Sequence, residues 1–259
     1  MAELNGAQVS ADALQALALT NYGHFTSMRV EDGHVRGYSQ HLDRLVTDCR
    51  ELFSAALDRD RVRSYVRSAV GDRKEAFILR VTVFDPALDL GHIGGQAAPS
   101  VLVTHRPAPG LPASPLRIRT TAYQRDLPKV KHVGLLGQLW HRREALSAGF
   151  DDCLFHDSAG FISEGATWNI GFFDGHKVLW PNADVLPGVT MSLLKQTHEE
   201  TVTAPVHVRD IPEMSAAFAT NTSVGVRPIA AIDDIPLDAE HDIIDALRKE
   251  YQEIRPESL

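Results

Sequence analysis

The sequence predicts an α+β fold in two domains. Strand-like and helix-like stretches interleave without strict βαβ alternation, which disfavours a doubly wound sheet. One proline-rich segment, from His105 to Pro115, holds Pro107, Pro109, Pro112, Pro115 and Gly110. Such a stretch neither continues a helix nor pairs as a central strand. It divides the chain into an N-terminal α/β domain over residues 1–105, a linker over 106–115 and a C-terminal domain over 116–259.

The elements follow from periodicity. Phe25 to Val30 reads as a strand, Gly33 as a turn, and His34 to Gly37 as a second strand and turn. Leu42, Leu45, Val46, Cys49, Leu52, Phe53 and Ala56 recur at helical spacing, so a helix is expected over Ser39 to Leu57. Phe77 to Phe84 sets Leu79, Val81 and Val83 against Arg80 and Thr82, the alternation of a strand, and Val101 to Val103 follows as another. Beyond the linker, Gly134 to Ala148 is helix-like. A β-rich region follows, with Asp151 to His156, Phe161 to Phe173 and Val178 to Trp180 separated by Gly160 and the Asp174-Gly175 turn. Helical patterns return at Val189 to His198 and at the C-terminal stretch carrying Ile243, Ile244, Leu247, Tyr251 and Ile254.

Composition excludes several classes. Of 259 residues, 44% are apolar and 23% charged, too apolar for disorder. No apolar run approaches the roughly 18 residues of a membrane span. The formal net charge of −8 repels phosphate backbones, so no nucleic-acid partner is expected. Two cysteines, Cys49 and Cys153, are too few for a disulfide framework or zinc site and are expected as buried thiols. Met-Ala-Glu-Leu-Asn-Gly has neither the basic nor the apolar region of a signal peptide, which sets the expectation of a cytoplasmic protein.

No G-x-G-x-x-G, Walker A, G-x-S-x-G or H-E-x-x-H motif is present, and the 12 histidines fall at no metal-ligand spacing, so no metal is expected. Three other stretches point to one anion-binding site. In Leu186-Pro187-Gly188-Val189-Thr190, a turn opens a helix whose first N–H groups, at Val189 and Thr190, suit a phosphate, although an ordinary capped helix reads the same way. Ala219 to Val226 runs a strand into a loop of hydroxyls and glycine that adds further donors. Glu164 interrupts an apolar strand region and needs a partner, either a structural arginine or the ring nitrogen of a cofactor.

Taken together, these stretches resemble the fold-type IV pyridoxal-phosphate (PLP) family, which includes branched-chain and D-amino-acid aminotransferases and aminodeoxychorismate lyase. The resemblance runs in order from Gly23-His24-Phe25-Thr26-Ser27-Met28-Arg29-Val30, through His41-Leu42-Asp43-Arg44-Leu45 and Val130-Lys131-His132, to Gly149-Phe150-Asp151-Asp152. It continues with Ser163-Glu164-Gly165 and Asn169, then Leu186 to Thr190, then Thr220-Asn221-Thr222.

The resemblance implies a D-amino-acid-aminotransferase-like fold with pyridoxal 5'-phosphate between the domains and a homodimer with a partner loop over the site. It implies that Lys131 carries the cofactor as a Schiff base, with Lys129 the rival lysine two residues earlier. Glu164 would hold the pyridine nitrogen protonated, and Arg44, Val189, Thr190 and Thr222 would hold the phosphate. His24, Arg29 and Arg125 are candidates to line the substrate, although each also fits a salt-bridged or exposed residue. The activity implied is transfer of an amino group between an amino acid or amine and a 2-oxo acid. The alternative is a lyase that releases pyruvate and leaves 4-aminobenzoate, and a third reading is a non-catalytic PLP-binding protein, against which Lys131 and Glu164 together argue. The chain departs from many aminotransferases of the family at Leu136, where they carry Tyr, and at Met191, where they carry Arg. Asn221 to Pro228 is closer to the lyase branch, whereas Asn21-Tyr22-Gly23 replaces that branch's usual Gly-Asp-Gly.

Overall fold

The computed structural model describes residues 2–259, which cluster into two compact units. One takes in the chain up to Ala108 together with Val130–Gly134 and Arg255–Leu259; the other holds Pro109–Lys129 and Leu135–Ile254. A single break at 106–115 is thereby corrected. Strand pairing runs on through Pro107, and two later segments belong to the N-terminal unit.

The N-terminal unit contains β1 (Ala2–Leu4), β2 (Ala7–Gln8), α1 (Ala11–Thr20), β3 (His24–Val30), β4 (His34–Val35), α2 (Tyr38–Phe53), α3 (Arg59–Val70), β5 (Phe77–Phe84) and β6 (Ser100–Pro107). Its five-stranded antiparallel sheet is ordered β2-β1-β6-β5-β3. Strand β5 pairs along its whole length on both sides, with Val81 opposite Thr26 and Val103, and so has the bounds its alternation predicts. Leu42, Leu45, Cys49 and Phe53 line one stripe of α2 and pack on Met28, Val30, Leu79 and Val81 in the core. The helix stops short of the expected Leu57 because Ser54 adopts a left-handed conformation and closes it with an N–H donated to the Arg50 carbonyl. Helices α1 and α3 escape periodicity, the first because Ala and Leu surround it, the second because arginines crowd a stripe of only Val62, Val66, Ala69 and Val70.

The second unit contains β7 (Leu116–Ala122), α4 (Leu136–Ser147), β8 (Asp152–His156), β9 (Ile162–Gly165), β10 (Asn169–Phe173), β11 (Val178–Pro181), α5 (Val189–Thr197), β12 (Thr201–Ala204), β13 (Ala216–Asn221), β14 (Gly225–Ile232) and α6 (Asp242–Glu253). Its sheet runs β12-β11-β10-β13-β14-β7-β8-β9, with β7 parallel to both neighbours. Parallel strands need a crossover, and that between β7 and β8 carries α4 and, before it, the segment Val130–Gly134. The expected β-stretch from Phe161 to Phe173 is in fact two strands. Gly165 donates its N–H to the Trp168 carbonyl, and the Trp168 indole occupies the space a side chain at Gly165 would need. This turn sends Glu164 to the sheet edge on β9 and Asn169 to the interior on β10. Phe218, Trp180 and Val226 form a core with Leu194 of α5 and with Ile244 and Leu247 of α6. None of the described helices is long and apolar enough to cross a membrane.

The start of α2 is capped from far along the chain. Gly37 supplies no side chain for the first free N–H groups, and the Glu257 carboxylate accepts both the Ser39 N–H, at 3.2 and 3.1 Å, and the Ser39 hydroxyl. A short strand over Glu257–Ser258 pairs with β4 and holds that carboxylate in place. Glu257→Ala is therefore expected to lower unfolding stability by about 1 kcal/mol, the usual value of an N-cap, in a urea titration. Glu257→Gln, which keeps the acceptor and loses the charge, is expected to lose less.

Candidate active site

In the N-terminal unit the site starts from the pleat of β3, whose side chains alternate between sheet faces. His24 and Thr26 turn toward α2, where His41 and Arg44, three residues apart, share one face. The Thr26 hydroxyl lies 2.7 Å from His41 Nδ1, and Arg44 Nη2 donates to both the hydroxyl and, at 3.2 Å, to Nδ1. Nδ1 is therefore an acceptor, Thr26 donates to it, and the imidazole proton sits on Nε2. Burial, with Arg44 and Lys131 nearby, holds His41 well below the usual histidine range. Burial and then Arg44 push His24 down to about 3. Both imidazoles are neutral near pH 7. Burial also pushes Arg44 down to about 10 against the opposing pull of Asp48, and its Nε is shut from solvent without a partner. Among the described residues, no carboxylate lies within 4 Å of Arg44. A desolvated cation of this kind favours a neighbouring anion.

Lys131 lies beside the same strand. Its carbonyl accepts the Phe25 N–H at 2.8 Å, its own N–H donates to the buried Asp48 carboxylate at 3.0 Å, and Val133 N–H reaches the Gly23 carbonyl. Lys131 Nζ stands 5.0 Å from the centre of the Phe25 ring, and the Arg80 guanidinium covers that ring at 3.6 Å. Arg80 also donates to Thr82 Oγ1, has no carboxylate within 4 Å among the described residues, and is lowered in pKa by burial. Sequence reading missed Arg80 as a functional residue because it passed as the polar half of an alternating strand. Its signal was a cation within Phe77–Phe84, otherwise almost wholly apolar. The rival Lys129 is 78% exposed, 3.7 Å from Asp184.

Two of the residues expected to line the substrate, His24 and Arg29, take opposite faces of β3. His24 is fully buried on the α2 face, its ring 6.0 Å from Phe53, whereas Phe25 and Arg29 take the opposite alternation. Arg29 Nε is held by Glu31 at 2.6 Å.

In the second unit, Glu164 and Arg125 form a buried ion pair at 2.9 Å, their side chains 7% and 5% exposed. Of the two partners foreseen for Glu164, the structural arginine is present. Arg125, expected at a substrate carboxylate, is instead engaged with Glu164 and with the Pro128 carbonyl. The Leu186 N–H donates to both Glu164 oxygens at 3.3 Å, and Asn169 Nδ2 donates to the Leu186 carbonyl at 2.9 Å. Asn169 Oδ1 fills the space a side chain at residue 188 would take, which explains Gly188. The turn that opens α5 is thus tied to the carboxylate. Helix α5 has no acidic residue in its first turn, and Thr190 Oγ1 is buried without a partner. Val189 and Thr190 stand at the positions whose N–H groups an α-helix leaves free. Thr222 lies in the turn between β13 and β14, where Asn221 Oδ1 accepts the Ser223 and Val224 N–H groups. Arg125 and Glu164 border a cavity of about 530 Å³ together with Gln124, Phe155, Phe161 and Asp184. Leu136, at the family's tyrosine position, opens α4 and is 80% exposed. Burial pushes Cys49 up to about 11 and Cys153 up to about 12, so neither thiol is a nucleophile near neutrality.

The sequence profile of amino-transferase class IV matches residues 23–232. A curated relative, a probable branched-chain-amino-acid aminotransferase of Rickettsia bellii, is 24% identical over 274 aligned positions, covering 97% of this chain and 94% of its own. The fold resembles a PLP-bound hypothetical aminotransferase from Mycobacterium tuberculosis, at TM-score 0.84, 18% identity and 97% coverage of each chain. It also resembles a putative 4-amino-4-deoxychorismate lyase from Legionella pneumophila, at TM-score 0.80, 20% identity and 96% coverage of each.

The buried neutral histidines make stability depend on pH. His24 protonates near 6.5 when unfolded but only at about 3 when folded, so the unfolded state gains protons first as pH falls. Stability is full above pH 6.5 and declines below it. Between pH 7.5 and 5.5 the wild type is expected to lose about 1.4 kcal/mol through His24. His24→Leu should lack that increment when urea unfolding is compared at the two pH values.

Proposed function

The chain belongs to the class IV aminotransferases, a pyridoxal-phosphate-dependent family, and from that premise we propose that it moves an amino group between an amino acid or amine and a 2-oxo acid through Lys131. The observation that carries this reading is the placing of Lys131 Nζ over Phe25 with Arg80 on the same ring. A lysine amine held close to a second cation is one of the recognised settings for a nucleophilic lysine.

The residues present fit the cofactor. Arg44 is a desolvated cation without an anion, and Thr190 Oγ1 is a buried hydroxyl without a partner at a helix start. In this reading Lys131 holds the cofactor covalently through Nζ. Arg44, the Val189 and Thr190 N–H groups and Thr222 hold its phosphate, and Glu164 holds a proton on the ring nitrogen. When bound, the cofactor supplies an electron sink for the carbanion formed at the substrate's α-carbon. Lys131 Nζ would be the group that takes up the substrate's α-proton and returns it. Arg80 receives a substrate carboxylate, the anion it lacks. We read the enzyme as a homodimer, for which the exposed Leu136, Leu139 and Trp140 on α4 offer an apolar face.

A second reading, a lyase releasing pyruvate, is favoured by the Legionella likeness and by Leu136 standing where aminotransferases carry Tyr. Conversion of the bound cofactor to pyridoxamine phosphate by an amino donor supports transfer. Pyruvate appearing without an acceptor supports the lyase.

Borohydride reduction of the PLP-loaded protein followed by peptide mapping is expected to label Lys131, and Lys131→Ala to take no label. Label on Lys129 would move the role there, and no labelled lysine would remove the catalytic reading. Arg80→Met is expected to lower kcat/KM for carboxylate-bearing substrates about 10- to 100-fold, the usual cost of a lost charge-assisted hydrogen bond. An unchanged KM would place the substrate carboxylate elsewhere.

A further inference from the structure

We infer that Arg125 is a positioning residue for Glu164, keeping that carboxylate charged and aimed although it is buried. The inference rests on the reading that Glu164 faces the cofactor's ring nitrogen. Expected to meet a substrate carboxylate, Arg125 is instead almost wholly buried, with Nη1 at 2.9 Å from Glu164 Oε1 and 3.0 Å from the Pro128 carbonyl. A carboxylate taken out of water without a cation tends to take up a proton, and a guanidinium within hydrogen-bond distance opposes this. The protonated form could not keep the ring nitrogen charged.

Two neutral groups also touch Glu164. The Leu186 N–H touches both oxygens at 3.3 Å, and Asn169 Nδ2 reaches Oε2 at 3.4 Å. Other charges bordering the same cavity are Asp157 and Asp184, both of which favour protonation of Glu164, while Lys129 lies 3.7 Å from Asp184. Arg125 is a cation seated directly on the carboxylate. It also sets direction, because pinning Oε1 while Leu186 and Asn169 hold the carboxylate from the α5 side fixes the rotation of the group.

The test compares Arg125→Met with Arg125→Lys in the PLP-loaded enzyme and in the cofactor-free protein. In Arg125→Met the acid limb of the kcat profile is expected to move up by one to three pH units, with kcat at neutral pH at least about tenfold lower and KM within about twofold. Arg125→Lys should restore most of the limb position. In the cofactor-free protein, the ¹³C carboxyl resonance of Glu164, assigned by its loss in Glu164→Gln, should titrate one to three units higher in Arg125→Met than in the wild type. An unmoved resonance, or a fall in kcat with the limb in place, overturns the proposal. If Arg125→Met does not fold, the double variant with Glu164→Gln should, because it removes both buried charges together; its failure to fold would mark a packing role and overturn the proposal. Borohydride mapping of wild type and Arg125→Met separates this from the wider reading. Label on Lys131 in both leaves the cofactor role standing whatever the resonance does. No label in the wild type removes the cofactor role while the carboxyl titration still decides the pair.

Discussion

The site in the N-terminal unit depends on a short run of backbone pairing at the edge of β3. Phe25 donates to the Lys131 carbonyl, Val133 donates to Gly23, and Asp48 of α2 accepts the Lys131 N–H. With three hydrogen bonds over so few residues, the backbone of Lys131 has little freedom. The side chain then leaves from a fixed point beside Phe25. Since α2 also carries His41 and Arg44, one helix sets both the lysine's backbone and the cation expected at the phosphate. That gives the distant Glu257 cap a functional meaning, because fraying at the start of α2 would loosen His41 and Arg44 first.

The second unit solves a related problem with opposite charge. A parallel strand pair, β7 and β8, requires a long connection, and this one is long enough to carry Arg125 and Lys131 before α4 begins. Arg125 returns to the carboxylate on β9. From there the contacts run on through the Leu186 N–H and carbonyl to Asn169, and through Asn169 to Gly188 at the opening of α5. A buried carboxylate and a helix-opening turn joined in this way form one connected piece, so a change at either is felt at the other.

Legibility in the sequence followed the physics of each element. Strand β5 was readable because pairing on both sides makes its pattern strong and its ends sharp, and α2 because its apolar stripe is regular. The end of α2 was not, since Ser54 in a left-handed conformation leaves no mark a serine cannot also leave elsewhere. Lys131 and Arg44 were singled out by resemblance to a family and not by spacing, and Glu164 first as a carboxylate interrupting an apolar strand region. The partner of Glu164 lies 39 residues away, a distance no local pattern spans. The face taken by His24 was not legible either: strand alternation gives two faces, and sequence alone does not say which faces the helix. Arg80 looked like an ordinary polar residue because charge in a strand is expected on the outside, whereas Arg125 was weighed as a substrate contact or a salt-bridged residue.

The overall charge of −8 makes an anion-binding role look improbable, yet the chain keeps cations where they count. Exposed charges are screened within about 8–10 Å at physiological salt, so the acidic surface contributes little to the potential deep in a site. Arg44, Arg80 and Arg125 are each partly or wholly removed from solvent, where screening is weak and the same charge acts far more strongly. The cost of that burial shows in Arg44, whose pKa falls to about 10, and a bound anion relieves it. Desolvated guanidinium groups of this kind act on a nearby anion largely independently of net charge. The acidic exterior is then free to favour solubility without weakening the site.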